Sequence, residues 1–343
     1  MCKKVSVIVP IYNGEKHIRN CLNSLIKQKL DDYEIICIND GSSDNTIKII
    51  EEYAAIASDK IQVINQPNQG TWFARKTGIS FARGEYICFC DIDDIVTENW
   101  LSDMYNAILF TKADMAVCGY VRIDSKTNKI LSKEMNKSDS VYNVEENNSV
   151  LVTINTSLWN KMIKRSLLVT HIELDKAPKI GEDAILLYSV YPLLKKIVFT
   201  SGINYFYSIS TNSTISNFKS SDFYDIQNAY LKLKDFYNSS KKTNIISLLD
   251  VFALLHCGII NIIKLDSNCK CNLNSIYRQS KLYMDTHFHN WRNSDYLKLK
   301  NVLKNPFLFK IFVCKILCTT NLFILFVRLY NYLTNKFNFE LKW

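Results

Sequence analysis

Glycine and proline are scarce: 9 and 5 in 343 residues. That excludes collagen-like and proline-rich chains. Long apolar runs are missing as well. Mean hydropathy is −0.06, too low for a chain that crosses a membrane many times. The opening Met1-Cys-Lys-Lys-Val-Ser-Val-Ile-Val-Pro has no apolar stretch of signal-peptide length, so residues 5–9 read as a buried strand. Histidine is rare, at 5, and among 11 cysteines the close pairs are Cys88/Cys90 and Cys269/Cys271. Both are C-x-C, and no CxxC faces a second one, so zinc is unsupported. The cysteines are expected to be small buried hydrophobes in a reducing cytosol.

What remains is ordinary for a globular chain, with 48% hydrophobic and 22% charged residues. Wholesale disorder is excluded, and the length suggests about two domains. Forty-two Lys and Arg against 33 acids leave a net charge of +9. This sign suits a nucleic acid, a lipid headgroup or a phosphorylated small molecule. The lysines are scattered with no Arg-rich stripe, so no nucleic-acid partner is expected.

Apolar runs and helical patterns alternate through the first 120 residues. Strands are predicted at Val5–Val9, Glu34–Ile38, Ile61–Ile64, Tyr86–Cys90 and Met115–Tyr120. Between them, His17–Lys27, Thr46–Ala57, Trp72–Ala82 and Trp100–Phe110 carry apolar residues near helical spacing. This alternation predicts an α/β fold, a mostly parallel sheet with helices on both faces. Ligands of such sheets sit beyond the carboxyl ends of the strands. One rim would then carry Pro10–Asn13, Asn39–Asp44, Asn65–Gly70 and Asp91–Asp94. Residues 124–150 are polar and read as a long loop or lid, or as a disordered insertion. Strand and helix signals resume over Leu151–Tyr207, and from Ser220 onward the pattern is helical. Between Lys300 and Lys342 stand seven Lys or Arg and one acid, Glu340. The longest uncharged stretch there, Ile316–Val327, has 12 residues, short of the ~20 a span needs. The tail reads as a basic helix lying in a headgroup plane, or as a core-packed helical pair with a solvated lysine face.

Four rim segments carry chemistry. In Ile38-Asn-Asp40-Gly-Ser-Ser-Asp44-Asn-Thr46, Asp44 suits a helix cap. Asp40 sits earlier, at the strand end, where it could accept the N3–H of a uracil ring or close an Asx-turn. In Asn68-Gln-Gly70-Thr-Trp-Phe-Ala-Arg75-Lys76, a helix start plus Arg75 makes a plausible anion site. The strongest segment is Tyr86-Ile-Cys-Phe-Cys90 running into Asp91-Ile-Asp93-Asp94. Acids crowded at a buried strand end repel unless a cation neutralises them. Asp91 and Asp93 point to the same side of a strand, and carboxylate oxygens favour Mg²⁺ or Mn²⁺. Finally, Gly181-Glu182-Asp183 opens an apolar helical run, placing two acids at a helix N-terminus.

Taken in order, Val5-Ser-Val-Ile-Val-Pro-Ile-Tyr-Asn13, Asn39-Asp-Gly-Ser-Ser-Asp-Asn-Thr46, Asn68-x-Gly…Ala74-Arg75…Gly78, Asp91-Ile-Asp-Asp94, Trp159-Asn-Lys161 and Gly181-Glu-Asp183 resemble the inverting glycosyltransferase family 2. The match runs from Val5 to about Asn212. The resemblance implies a GT-A domain over residues 1–217, with a nucleotide-binding half at 1–95 and an acceptor half at 96–217. A helical region would follow at 218–343, ending in the basic amphipathic tail 300–343. It implies that Pro10, Tyr12 and Asp40 surround a uridine and that Arg75 lies beside the nucleotide. Asp91 and Asp93 would hold ribose, diphosphate and a Mn²⁺ or Mg²⁺ ion, supported by Asp94. Asp183 would be the catalytic base, and Trp159, Asn160, Lys161 and Glu182 would border the acceptor. Three departures stand out. Lys76 replaces a common Asn, Trp72 replaces a small residue, and no basic residue follows Tyr205-Phe-Tyr207, with Lys219 a candidate substitute.

The expected activity is metal-dependent transfer of a hexose or N-acetylhexosamine from a UDP-sugar to a glycan hydroxyl, with inversion. The expected acceptor is lipid-linked, in capsule, lipopolysaccharide or exopolysaccharide synthesis. The expected location is the cytoplasm, peripheral at the anionic inner face of the cell membrane. The alternative from another class is a non-catalytic sugar-nucleotide-binding or scaffold protein on the same fold. A nucleotidyltransferase would normally show a Gly-rich basic phosphate loop near its start, whereas Pro10–Lys16 has a single Gly.

Overall fold

A computed structural model describes residues 3–169, 174, 176–209, 219–240, 243–268 and 272–337. The Cys269/Cys271 pair, the residues around the expected 217/218 boundary and the last six tail residues, with Glu340, lie outside the described residues. The chain forms two compact units. The first comprises Met1–Val150, Ile154–His171 and Glu182–Asn212; the second comprises Leu151–Thr153, Ile172–Gly181 and Ser213–Trp343.

In the first unit, β1 (Val5–Ile11), β2 (Tyr33–Asp40), β3 (Ile61–Gln66) and β4 (Tyr86–Phe89) alternate with α1 (Ile18–Ile26), α2 (Thr46–Ile56) and α3 (Thr71–Phe81). The strands lie in the order β3-β2-β1-β4, and every pairing among them is parallel. Their near-continuous apolar runs are those of a sheet covered on both faces. β2 is buried at all eight positions. α1 turns Ile18, Cys21, Leu22 and Leu25 onto the core. α3 packs tightly on β1 at Gly78, where an added Cβ would come 2.4 Å from Ile8 Cγ2.

The other half of this sheet is mixed. It holds β5 (Ile95–Val96), β6 (Met115–Asp124), β9 (Lys161–Lys164) and β10 (Lys196–Ile209), with α4 (Trp100–Thr111), α5 (Arg165–Leu168) and α6 (Glu182–Val190). The order continues β4-β9-β6-β10-β5. β9 runs antiparallel to both β4 and β6, while β10 runs parallel to β6. A four-residue strand such as Lys161–Lys164 has too short a pattern to announce its direction.

The expectation of a loop or disordered insertion at 124–150 is corrected. That segment contains β7 (Ile130–Glu134), antiparallel to β6, and β8 (Ser140–Asn143), antiparallel to β10. Both are largely exposed and so lack the apolar run that marks an inner strand. Their order comes from ladder bonding, which hydropathy does not report.

The second unit is helical: α7 (Ser220–Ser239), α8 (Thr243–Ala253), a π-helical stretch (Leu254–Ile260), α9 (Asn261–Asn268), α10 (Leu273–His287), α11 (Leu299–Val302), α12 (Pro306–Thr319) and α13 (Phe323–Phe337). The helical run Ile245–Ser267 is long and apolar enough to cross a membrane by length and composition, yet 78% of its apolar window is buried within the protein. Sequence reading did not single it out. The uncharged stretch Ile316–Val327 is broken by the turn between α12 and α13. Eight described cysteines are free thiols, all buried.

The close approach at Gly78 gives a stability test. Alanine would gain about 1 kcal/mol of helix propensity, but its methyl meets a branched side chain of β1. Gly78→Ala is expected to lower stability by about 1–3 kcal/mol, measured by urea denaturation. A neutral or stabilising result would show that α3 can lift from the sheet at no cost.

Candidate functional site

The parallel register brings the carboxyl ends of β1 to β4 onto one rim, and the loops there are laced together. The Asn13 N–H donates to Ser42 Oγ (3.0 Å), and Asn13 Oδ1 accepts from the Ser43 N–H (2.8 Å). The Gly14 N–H donates to Thr46 Oγ1 (2.8 Å), and Asp44 accepts from the Thr46 N–H (3.0 Å). Tyr12 stands out from this rim, 53% exposed, next to the half-buried Pro10.

Asp40 is buried at the end of β2. Oδ1 accepts from Gln66 Nε2 (2.7 Å) and the Gln69 N–H (2.9 Å), and Oδ2 accepts from the Gly70 N–H (2.8 Å). It therefore anchors the entry to α3, where Gly70 holds a left-handed φ of 87°. Asp40 closes no Asx-turn among these bonds; the turn after β2 is held from Asn39, whose Oδ1 accepts from the Ser42 N–H three residues on (3.1 Å). A carboxylate has about four acceptor positions, so Asp40 keeps one beyond its three bonds.

Arg75 organises the centre. Its guanidinium, 3% exposed, contacts Asp91 Oδ1 (3.3 Å), Glu182 Oε1 (3.1 Å) and Asp183 Oδ1. One cation thereby joins the end of β4 to the first turn of α6. Burial works against the charge on Arg75, but Asp183, Asp91 and Glu182 raise its pKa overall. Its Nε is buried with no hydrogen-bond partner among the described residues. Burial pushes Asp91 up to about 6, opposed by Arg75 and reinforced by Asp183 and Asp93. Burial and the neighbouring Asp183 push Glu182 up to about 7. Arg75 is thus committed to protein carboxylates rather than solvated.

Asp94 has a different role from its neighbours. It is fully buried, accepting from the Tyr205 hydroxyl (2.7 Å) and the Ser208 N–H (2.8 Å). The Asp91 N–H donates to the same Tyr205 hydroxyl (3.2 Å). Burial, Asp91 and Asp93 hold its carboxyl well above the ordinary range. Tyr205 and Ser208 thus bind the acidic turn to β10. Sequence reasoning gave neither residue a role, although Tyr205 and Tyr207 at i and i+2 mark one face of a strand.

Trp159 is buried and stacks on Tyr205 (centroids 4.4 Å) and Tyr207 (5.2 Å). Asn160 and Lys161, expected to border an acceptor, are both 0% exposed. Asn160 Nδ2 donates to the Cys118 carbonyl (2.9 Å). Lys161 Nζ donates to the Asn155 carbonyl, Asn155 Oδ1 and Asn160 Oδ1 (2.9 Å each) and to the Ser157 carbonyl. As a correction to that expectation, these two side chains brace the loop before β9 from inside. Burial lowers the Lys161 pKa to about 7. Lys219 belongs to the second unit, where its N–H donates to Asp222 at the start of α7.

The donor set suits a hard divalent cation. Among the described residues Asp93 has no ion-pair partner, burial raises its pKa, and Asp91 keeps 30% of its side chain exposed. A divalent ion would relieve the penalty these acids carry. Among the described residues, no three or more His, Cys, Asp or Glu already form a cage for a metal. The remaining ligands would have to be substrate oxygens or water.

Residues 6–168 match the family profile "Glycosyl transferase family 2". The chain is 29% identical over 266 residues to the putative glycosyltransferase EpsH of Bacillus subtilis, covering 74% of this chain and 75% of that protein. It is 32% identical over 222 residues to glycosyltransferase GlyA of Streptococcus pneumoniae, covering 61% of this chain but 31% of GlyA. The crystal structure of S. aureus TarS 1–349 in complex with UDP-GlcNAc superposes with a TM-score of 0.64 at 19% identity, over 91% of this chain and 90% of that one. At that identity the likeness establishes the GT-A-type fold.

The ion-paired centre sets a further expectation. Arg75→Ala would leave three partly buried carboxylates without their cation. The expected loss of stability is about 3–5 kcal/mol at pH 8, typical of a broken buried pair. Asp91 and Glu182 have raised pKa values, so their charged forms are penalised above about pH 6–7 and are replaced by neutral forms below it. The defect is therefore expected to shrink at pH 5. Denaturation at both pH values without divalent ions checks this, and an equal loss at both would contradict it.

Proposed function

Residues 6–168 being a glycosyl transferase family 2 domain, we propose that the chain transfers a hexose or N-acetylhexosamine from a UDP-sugar to a hydroxyl of a glycan acceptor, with inversion. The observation that carries this reading is the Arg75 cluster, which sets Asp183 beside Asp91 through one guanidinium. The UDP-GlcNAc bound by S. aureus TarS supports a UDP-sugar donor. The proposed setting is bacterial surface polysaccharide synthesis; the poly(ribitol-phosphate) beta-glucosyltransferase of Bacillus spizizenii, 27% identical over 263 residues, supports a polymeric acceptor. The proposed acceptor is lipid-linked, and the work is done at the cytoplasmic face of the membrane.

In this reading Tyr12, Pro10 and the spare acceptor position of Asp40 take the uracil and ribose. Asp91 and Asp93 would hold a Mn²⁺ or Mg²⁺ ion, which when bound supplies positive charge against the departing diphosphate. Asp183 is the base. Its Oδ1 is spent on Arg75, and Oδ2 is left without a hydrogen bond among the described residues. The acceptor hydroxyl, with a pKa far above 7, gives its proton to Asp183 while its oxygen attacks C1. The C1–O bond to the diphosphate breaks as the new C1–O bond forms. One displacement with one base inverts the anomeric centre, in contrast to a double displacement through a covalent intermediate. Glu182, on the same helical turn, borders the acceptor. Trp159 is held in place by the bracing of Asn160 and Lys161.

Two substitutions test the roles. Asp183→Asn is expected to lower turnover by at least ~100-fold while leaving UDP affinity little changed, scored by UDP release. Unaltered turnover removes Asp183 from the role. Asp93→Ala is expected to abolish the gain in UDP affinity produced by Mn²⁺, measured by calorimetry. Equal UDP affinity of the parent with and without Mn²⁺ would contradict the metal assignment. A parent that binds UDP-sugars but releases no UDP with any donor or acceptor would favour a binding protein on the same fold.

A further inference from the structure

The last two described helices each pair a packed apolar face with an exposed one. α12 buries Leu308, Ile311, Cys314 and Cys318, and α13 buries Phe323 and Val327. On the opposite side of α12, Phe309, Val313 and Ile316 are 37% to 45% exposed. On α13, Leu325, Leu329 and Leu333 are 39% to 67% exposed, with Tyr332 beside them. The spacings, 309-313-316 and 325-329-332, put each set on one helical stripe. Scattered exposed apolar residues need no explanation, but an ordered stripe on consecutive helices does.

Charge identifies the occupant. From Lys298 to Phe337 there are seven Lys or Arg and no Asp or Glu. At 100° per residue, Arg328 and Lys336 fall along the exposed stripe of α13, and Lys310 falls beside that of α12. Lys336 also lies over the rings of Tyr332 and Phe337. Apolar side chains flanked by long basic ones suit an interface where the stems enter the acyl region and the cations reach anionic headgroups. A second copy of this chain would bring the same cations against each other.

We propose that the outward faces of α12 and α13 dock on an anionic lipid surface. The proposal goes beyond the transfer reaction and does not rest on it, because its readout is vesicle binding. The probes are vesicles of phosphatidylglycerol with phosphatidylcholine, and vesicles of phosphatidylcholine alone. The full chain is expected to co-sediment with the anionic vesicles at least ~10-fold better than with the neutral ones, and to be released by high salt. L325D/L329D and, separately, R328E/K336E are each expected to weaken anionic binding by at least ~10-fold, with thermal melts unchanged. F309S/V313S on α12 provides the same test should the α13 variants fail to fold. Undiminished sedimentation of folded variants would overturn the proposal. So would a parent that ignores vesicles and forms a dimer dissociated by L325D/L329D, which would assign the face to a second copy.

Discussion

The site is built around a shortage of positive charge. A single guanidinium faces Asp91, Glu182 and Asp183, and among these groups the acids outnumber the cation three to one. This arrangement fixes geometry, because a planar fork can satisfy carboxylates from two elements only if β4 and α6 meet at its two ends. It also leaves a charge imbalance. Raised pKa values at Asp91 and Glu182 express that imbalance as a penalty on ionisation. Acids in this excess are suited to a ligand that arrives with a cation. A free protein with balanced charge would have less to gain from such a ligand.

The three acids after β4 illustrate how one short motif divides its work. Asp94 faces inward and is used up by Tyr205 and Ser208. Asp91 is shared with Arg75, and Asp93 has no ion-pair partner among the described residues. The division comes from a turn and not from strand alternation: β4 ends at Phe89, and the Asp94 N–H closes back on the Asp91 carbonyl (3.1 Å). The Tyr205 hydroxyl then ties the turn at two points, accepting from the Asp91 N–H and donating to Asp94. The acidic turn is held by β10, a strand more than a hundred residues away in sequence. Asp40 acts similarly on the neighbouring loop, fixing the Gln69 and Gly70 amides that begin α3 and so the helix that carries Arg75.

Much of this was legible in the chain. The βαβ alternation of the first 90 residues gave the parallel half of the sheet, and the strand-terminal acids announced themselves because polar residues are rare at the ends of such runs. The less legible features depend on long-range pairing. β7 and β8 carry little hydropathy pattern because both are peripheral and exposed. The direction of β9 depends on neighbours it meets only after folding. Lys161 has the residue type of a surface cation but is enclosed by the carbonyls of its own loop. The resemblance implied a border to the acceptor, and residue type alone does not report such an enclosure. Arg75 was identified as an anion site, but nothing in Ala74-Arg75-Lys76 reveals that the anions are side chains of the protein itself.

The helical unit shows the same limit from another direction. Its most apolar segment, Ile245–Ser267, is mostly interior, whereas the shorter and more basic α12 and α13 retain apolar residues in solvent. Composition ranks these segments by how strongly they avoid water, but it cannot say which faces the fold has already covered. In α12 the packed and exposed stripes are nearly equally apolar. Hydrophobic periodicity is consequently weak there, and a reading based on periodicity finds no preferred face. Neighbouring helices make the distinction by occupying one side. What distinguishes the other is its basic border and the absence of acids, an electrostatic asymmetry that folding of the unit leaves in place.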